Sequence, residues 1–153
     1  VTVIGLDRLR RKLTKTLPEA AERRIKEAME KAASDAVALM KSLAPRDSGA
    51  LSDSIGWTWG DPPKGAMALL RSGRRTKAGL RITIYAGGGD AFYARFVEFG
   101  TAQHQNGGKF AGSVHPGTTA QPFFFPGWRA VRRQVKGRVS RAIRRAAKEV
   151  ASS

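Results

Sequence analysis

The sequence predicts an α+β chain, and two patterns predict it. Residues 19–43 and 128–150 each repeat apolar side chains three and four apart, the spacing of one helix face. Residues 55–59 and 80–85 alternate apolar with small or polar residues, the spacing of a half-buried strand. At 153 residues, a single domain over 1–153 is the expectation, with roughly two thirds of the unfolded surface hidden on folding.

Taken in order, Leu6, Leu9, Leu13 and Leu17 form the stripe of a short first helix, with Asp7 near its start and Pro18 interrupting or restarting it. Ile25, Met29, Ala32, Ala36, Met40 and Leu43 then line one face of a long amphipathic helix, rich in alanine and charged mostly off that face. Pro45 ends it, and Asp47-Ser48-Gly49 has turn chemistry. Ile55, Trp57 and Trp59 give a strand with one apolar face, closed by Gly60-Asp61-Pro62-Pro63. Ala66 to Leu70 fits either a short strand or a helical turn. Arg71 to Gly79 is a basic, glycine-containing loop that matches no phosphate-binding template and reads as a solvated hairpin tip. Leu80, Ile82 and Ile84 form the second strand, and Gly87-Gly88-Gly89-Asp90 ends it.

The chain then reaches its densest aromatic run, Tyr93-Ala94-Arg95-Phe96-Val97-Glu98-Phe99-Gly100-Thr101. Aromatic and β-branched residues predict a strand, or a turn running into one, that stops at Gly100. Phe96 and Phe99 are expected core or interface anchors, and Glu98 is expected to face solvent or to pair with a basic group. Gly100 is expected to supply a backbone shape that a side chain would block. Residues 102–121 read as a long, flexible, polar loop, ordered by a partner if at all. In Gln121-Pro122-Phe123-Phe124-Phe125-Pro126 the prolines predict extended backbone at an edge or an anchoring turn. Trp128, Val131, Val135, Val139, Ile143, Ala146 and Val150 mark a basic C-terminal helix over 128–151.

Charge bounds the function. The chain has 28 Lys and Arg against 12 Asp and Glu, a net of +16. Residues 1–44 and 45–128 each carry a net of +4, and residues 129–153 carry +8, so half the excess lies in the last helix. Such a field attracts polyanions, nucleic acid first, with an acidic or mixed-charge protein as the other partner class. Cysteine is absent, which excludes disulfides and thiolate metal sites. His104 and His115 have no carboxylate or cysteine near them in sequence, so no metal, cofactor or catalytic residue is expected. No apolar run approaches the roughly 20 residues of a membrane span, and the small apolar residues of the last helix argue against a membrane role.

Three motifs resemble one family, the small head–tail connector and tail-completion (tail-terminator) proteins of long-tailed bacteriophages named after the tenth gene product of phage HK97. They are Ala44-Pro45 followed by Ser48-Gly49-Ala50-Leu51, the run Tyr93 to Thr101, and Gln121 to Pro126. The second is the specific one. Ser48 stands where the family commonly has threonine, and Gly127-Trp128 where a small residue and a helix start are usual. The resemblance implies a twisted antiparallel sheet packed by the long N-terminal helix and the basic C-terminal helix, as in phage tail terminators. It implies a structural, non-catalytic protein of the virion neck or proximal tail end, found in phages, prophages and gene transfer particles. It also implies a ring, of six copies, between a head-completion protein and the tail tube, with double-stranded DNA passing through the lumen. Before assembly such a protein resides in the host cytoplasm.

Joined to the charge pattern, the resemblance nominates Tyr93, Phe96, Glu98, Phe99, Gly100, Thr101, Pro122, Phe123 and Phe124 as interface or core anchors. Within the ring, Glu98 is expected to pair with an arginine of a neighbouring subunit. Arg71, Arg74, Arg75 and Lys77, with Arg132, Arg133, Lys136, Arg141 and Arg144, are the expected DNA-facing groups. Two readings compete: a free DNA-binding protein without sequence preference, and, inside the family, a head-side stopper.

Overall fold

The computed structural model describes residues 19–46, 49–69 and 80–152. The expected first helix over Leu6–Leu17, the Asp47-Ser48 turn and the basic loop with Arg71, Arg74, Arg75 and Lys77 lie outside the described residues.

Helix α1 spans Glu19–Leu43. Glu19 and Glu22 sit in its first turn and Lys41 in its last, each sign where the helix dipole favours it. Lys26–Glu22 at 2.7 Å and Arg23–Glu27 at 3.8 Å add i,i+4 pairs on the exposed side. The face buried against the rest of the chain is mostly alanine: Ala21, Ala32, Ala33 and Ala36, with Ile25, Val37 and Met40. Side chains this small let another helix lie close. Ala44 N–H still donates to Met40 O at 3.0 Å, and Pro45 then ends the helix.

The one-turn helix α2, Ala50–Asp53, buries Leu51 and leads into strand β1, Gly56–Trp59. Strand β2 is Met67–Ala68 and β3 is Ile82–Ala86. The three form an antiparallel sheet in the order β1-β3-β2, with Trp57 opposite Ile84 and Ala68 opposite Tyr85. The sheet docks on α1 through both tryptophans. Trp57 Nε1 donates to Ser34 Oγ at 3.0 Å, and Trp59 Nε1 to Glu30 Oε1 at 2.9 Å.

A 3-10 turn, Gly89–Ala91, precedes helix α3, Ala94–Phe99. The predicted strand over Tyr93–Thr101 is thus corrected to a helix. Val97 N–H donates to Tyr93 O at 3.1 Å, and Gly100 ends it. Tertiary packing overrides the β-propensity of Tyr, Phe and Val here. Residues 102–121 contain more than loop. Strands β4, His104–Gln105, and β5, Val114–His115, pair as a small hairpin, with a 3-10 turn at Gly108–Phe110 between them.

Helix α4, Phe124–Ser152, begins before the predicted boundary and takes in the second aromatic run. The expectation of extended backbone there is overturned from Phe124 onward, which is helical. Pro126 is accepted because it falls in the first turn, where an N–H has no intrahelical partner. Helix α4 runs antiparallel along α1. Arg24 pairs with Glu149 at one end and Arg138 with Asp35 midway, and Gly127 lies on Met40 at the other end. A Cβ on Gly127 would come within 2.8 Å of Met40 Cγ, so the absent side chain sets how closely the helices approach. Phe123, Phe124, Met40 and Ile55 are the large side chains fully buried where α1, α4 and the sheet meet. A second cluster, Ala21, Ile25, Ala146 and Val150, seals the far end of the helix pair.

The Arg138 guanidinium holds the Asp35 carboxyl below the usual carboxylate range, against the opposing cost of desolvation. A carboxyl lowered on folding stabilises at neutral pH, and the increment fades as pH falls through the lowered value. Asp35→Asn is therefore expected to lower the urea midpoint slightly at pH 7. Its curve should merge with that of the unsubstituted chain in strong acid and approach it in high salt. An equal gap at all pH values would contradict this.

Candidate functional site

The junction of α3 with the start of α4 carries most of the nominated residues. A helix leaves its first N–H groups without intrahelical partners. At α4 one remote side chain supplies them. Glu98 Oε2 accepts from Phe123 N–H at 2.7 Å and Phe124 N–H at 2.8 Å, and Oε1 accepts from Phe125 N–H at 3.0 Å. Pro126 has no N–H to satisfy, and Gly127 N–H donates to Phe123 O at 3.2 Å as the ladder begins. The carboxylate is 3% exposed and sits at the positive end of the α4 dipole. Glu98 is therefore not solvent-facing, and among the described residues of this chain it is matched to no arginine. Its partners are backbone amides, because α3 turns its inner face, with Ala94 and Glu98, toward the start of α4.

The same junction is pinned by backbone. Gln121 N–H donates to Val97 O at 2.8 Å. Thr101 and Thr118 exchange both backbone bonds, at 3.0 and 3.1 Å, and their hydroxyls lie 3.1 Å apart. Gly100 has φ 69° and ψ 177°, and a Cβ there would meet Thr118 O at 2.6 Å. Gly117, with φ 88°, lets its backbone touch Thr101 O in the same way.

The nominated anchors separate into two kinds. Phe123 and Phe124 are buried at 0% exposure. Phe96 and Phe99 are 46% and 59% exposed and lie outside the core, and Pro122 is also exposed. With Phe92, at 66% in the turn just before α3, Phe96 and Phe99 fall at i, i+4 and i+7 and form one outward ridge. Phe92 meets Phe96 edge-on at 6.4 Å, and Phe99 leans on Phe125 at 5.8 Å. Phe92 was missed from sequence, although its spacing from Phe96 and Phe99 is the signal of a helix face. Beside the ridge, Tyr93, Phe96 and Val97 face the base of the hairpin across a groove of about 820 Å³, which Arg46, His104 and His115 also line. Nothing in the sequence brings Arg46 to the histidines, and the hairpin register sets only His104 opposite His115.

Arg132, Arg133, Lys136, Arg141 and Arg144 are all exposed on α4. They lie away from the stripe of Phe124, Gly127, Val131, Val135, Ala146 and Val150 that covers α1 and the sheet. Among the described residues no group of His, Cys, Asp and Glu could hold a metal ion. No described helix is long and apolar enough to cross a membrane.

The sequence model of the family described as the bacteriophage HK97-gp10 tail-component matches residues 7–100. The chain belongs to this family. No curated protein and no solved structure matches it. As a member of the HK97-gp10 family it is a structural phage component of the tail and head–tail connection, and the family is not one of enzymes. The long N-terminal helix, the antiparallel sheets and the C-terminal helix are consistent with such a fold. The matched region ends at Gly100, so it includes Glu98 and leaves the hairpin and α4 beyond it.

Proposed function

We propose that copies of this chain close into a ring, of six, at the head–tail junction or proximal tail end, and that DNA passes through it. The observation that carries this reading is the segregation of charge between the two packed helices. Helix α1 has five bases and five acids, whereas α4 has nine bases and only Glu149 as an acid. A basic outer face without any base-reading motif suits sequence-neutral contact with phosphates in transit. The Phe92–Phe96–Phe99 ridge supplies the apolar half of a head-to-tail contact between neighbouring copies, the kind that closes a ring. In this reading the head-completion protein and the tail tube flank the ring, in a virion or a gene transfer particle. Residues 102–121 present their hairpin to those neighbours. Arg71, Arg74, Arg75 and Lys77 add to the lumen charge. The chain waits in the host cytoplasm as a single domain before assembly.

The test has two arms, both read by electron microscopy of rings and by DNA delivery. Reversing Arg132, Arg133 and Lys136 together should leave rings intact and cut delivery at least tenfold. Phe92→Ser with Phe96→Ser should leave the subunit folded and abolish rings. Normal delivery through charge-reversed rings would sink the lumen role. The same basic face also favours a second reading, a free DNA-binding protein. That reading requires tight, salt-dependent binding by the isolated subunit, whereas the ring reading requires weak binding.

A further inference from the structure

The groove between α3 and the hairpin base has a chemistry that the DNA channel does not use and that the ring contact shares only through Phe96. One wall is aromatic and apolar: Tyr93, Phe96 and Val97. The other carries the stacked rings of His104 and His115, 5.0 Å apart and 18° from parallel. Arg46 stands at the groove, is exposed, and pairs with no acid among the described residues. Among the described residues no Asp or Glu lines it. His104 Nδ1 lies 3.0 Å from Ala102 O, which can only accept, so that nitrogen donates to it. His115 Nδ1 accepts from Gly117 N–H at 3.0 Å, so its proton resides on Nε2, which remains a donor. Among the described residues β4 and β5 pair only with each other, so each leaves an unpaired edge.

We infer that this groove is a docking site for an extended peptide, from a different protein, that carries acidic and aromatic side chains. An extended main chain can add to the free hairpin edge. An aromatic side chain fits against Tyr93, Phe96 and the stacked imidazoles, and a carboxylate meets Arg46. The volume holds a few side chains, as peptide and ligand sites do. A second copy of this chain does not offer such a segment. Its two stretches that combine acids with aromatic residues are 53–61 and 90–98. In the first, both tryptophans are hydrogen-bonded to α1, and in the second Glu98 is buried under α4. Complementary charge therefore selects a heterologous partner.

The experiment measures fluorescence anisotropy of labelled peptides with the isolated full chain, so it does not depend on ring assembly. One peptide mixes glutamate and phenylalanine, a second keeps the glutamates and replaces phenylalanine with serine, and a third replaces glutamate with lysine. The mixed peptide should bind tightest. Arg46→Ala should weaken it about tenfold, the scale of one charge-assisted hydrogen bond, and Thr119→Trp, which fills the groove, should abolish it. Reversing Arg132 and Arg144 on α4 should leave the preference for the mixed peptide unchanged. Equal binding of the two acidic peptides, lost on reversing α4 and kept in Arg46→Ala, would mean general attraction to the basic helix and overturn the site. Equal binding of the lysine peptide would overturn it too. So would an oligothymidylate that outcompetes the mixed peptide and is lost in Arg46→Ala, which would make the occupant nucleic acid.

Discussion

Glu98→Ala is expected to destabilise the isolated chain by roughly 3–5 kcal/mol, and Glu98→Gln by roughly 2 kcal/mol. Alanine leaves the N–H groups of Phe123, Phe124 and Phe125 without their acceptor in a buried setting and opens a void. Glutamine can turn its carbonyl oxygen to Phe123 and Phe124, but its NH₂ then faces the N–H of Phe125, donor against donor. It also removes the negative charge at the start of α4. Water cannot replace the lost acceptor cheaply, because the junction is closed by Phe123 and Phe124. The check is urea unfolding of the free subunit, with the midpoint falling and the slope unchanged. The free subunit matters here. An ion pair across a ring interface would leave its stability untouched and show only on assembly. Glu98→Gln within about 0.5 kcal/mol of the unsubstituted chain, below even a weak net hydrogen bond, would contradict the capping role.

Gly100→Ala is expected to cost roughly 3 kcal/mol, the sum of a disfavoured backbone conformation and an overpacked contact. Its φ of 69° with ψ of 177° lies in a region that is nearly glycine-only. The new methyl would stand 2.6 Å from Thr118 O and 2.9 Å from Ala120 N, both backbone atoms. Relief requires the Thr101–Thr118 bridge to open. Gly65→Ala is the control: φ is 81° there but nothing lies within 4 Å, so only conformational strain of about 1–2 kcal/mol applies. Equal losses at the two positions in chemical denaturation would show that the close approach at Gly100 has no energetic weight.

The long elements were legible because their signals are periodic. The stripe from Ile25 to Met40 reports burial on one face of α1, and the alternation from Leu80 to Tyr85 locates β3, although that strand begins at Ile82 and buries Thr83 beside Ile84. The aromatic run was misread for a physical reason. Tyr, Phe and Val favour strands in general, yet Phe92, Phe96 and Phe99 also keep helical spacing, and docking of Ala94 and Glu98 decided between them. The partner of Glu98 left no trace in side-chain chemistry, because its donors are main-chain amides present at almost every position. The hairpin was equally silent. Its strands are two residues each and polar but for Val114, so neither alternation nor apolar content marked His104 as the neighbour of His115.

The doubly bonded Thr101–Thr118 bridge and the Gln121–Val97 bond close the hairpin off at its neck. What happens beyond that neck is nearly decoupled from the fold. Lengthening a closed segment costs only about 0.6 kcal/mol for each doubling, and neither Glu98 nor the α4 start would sense it. Residues 102–117 thus form a replaceable cartridge on a fixed mount. Grafting a foreign loop between Thr101 and Thr118 should change which partner is recognised while the subunit melts where it did before.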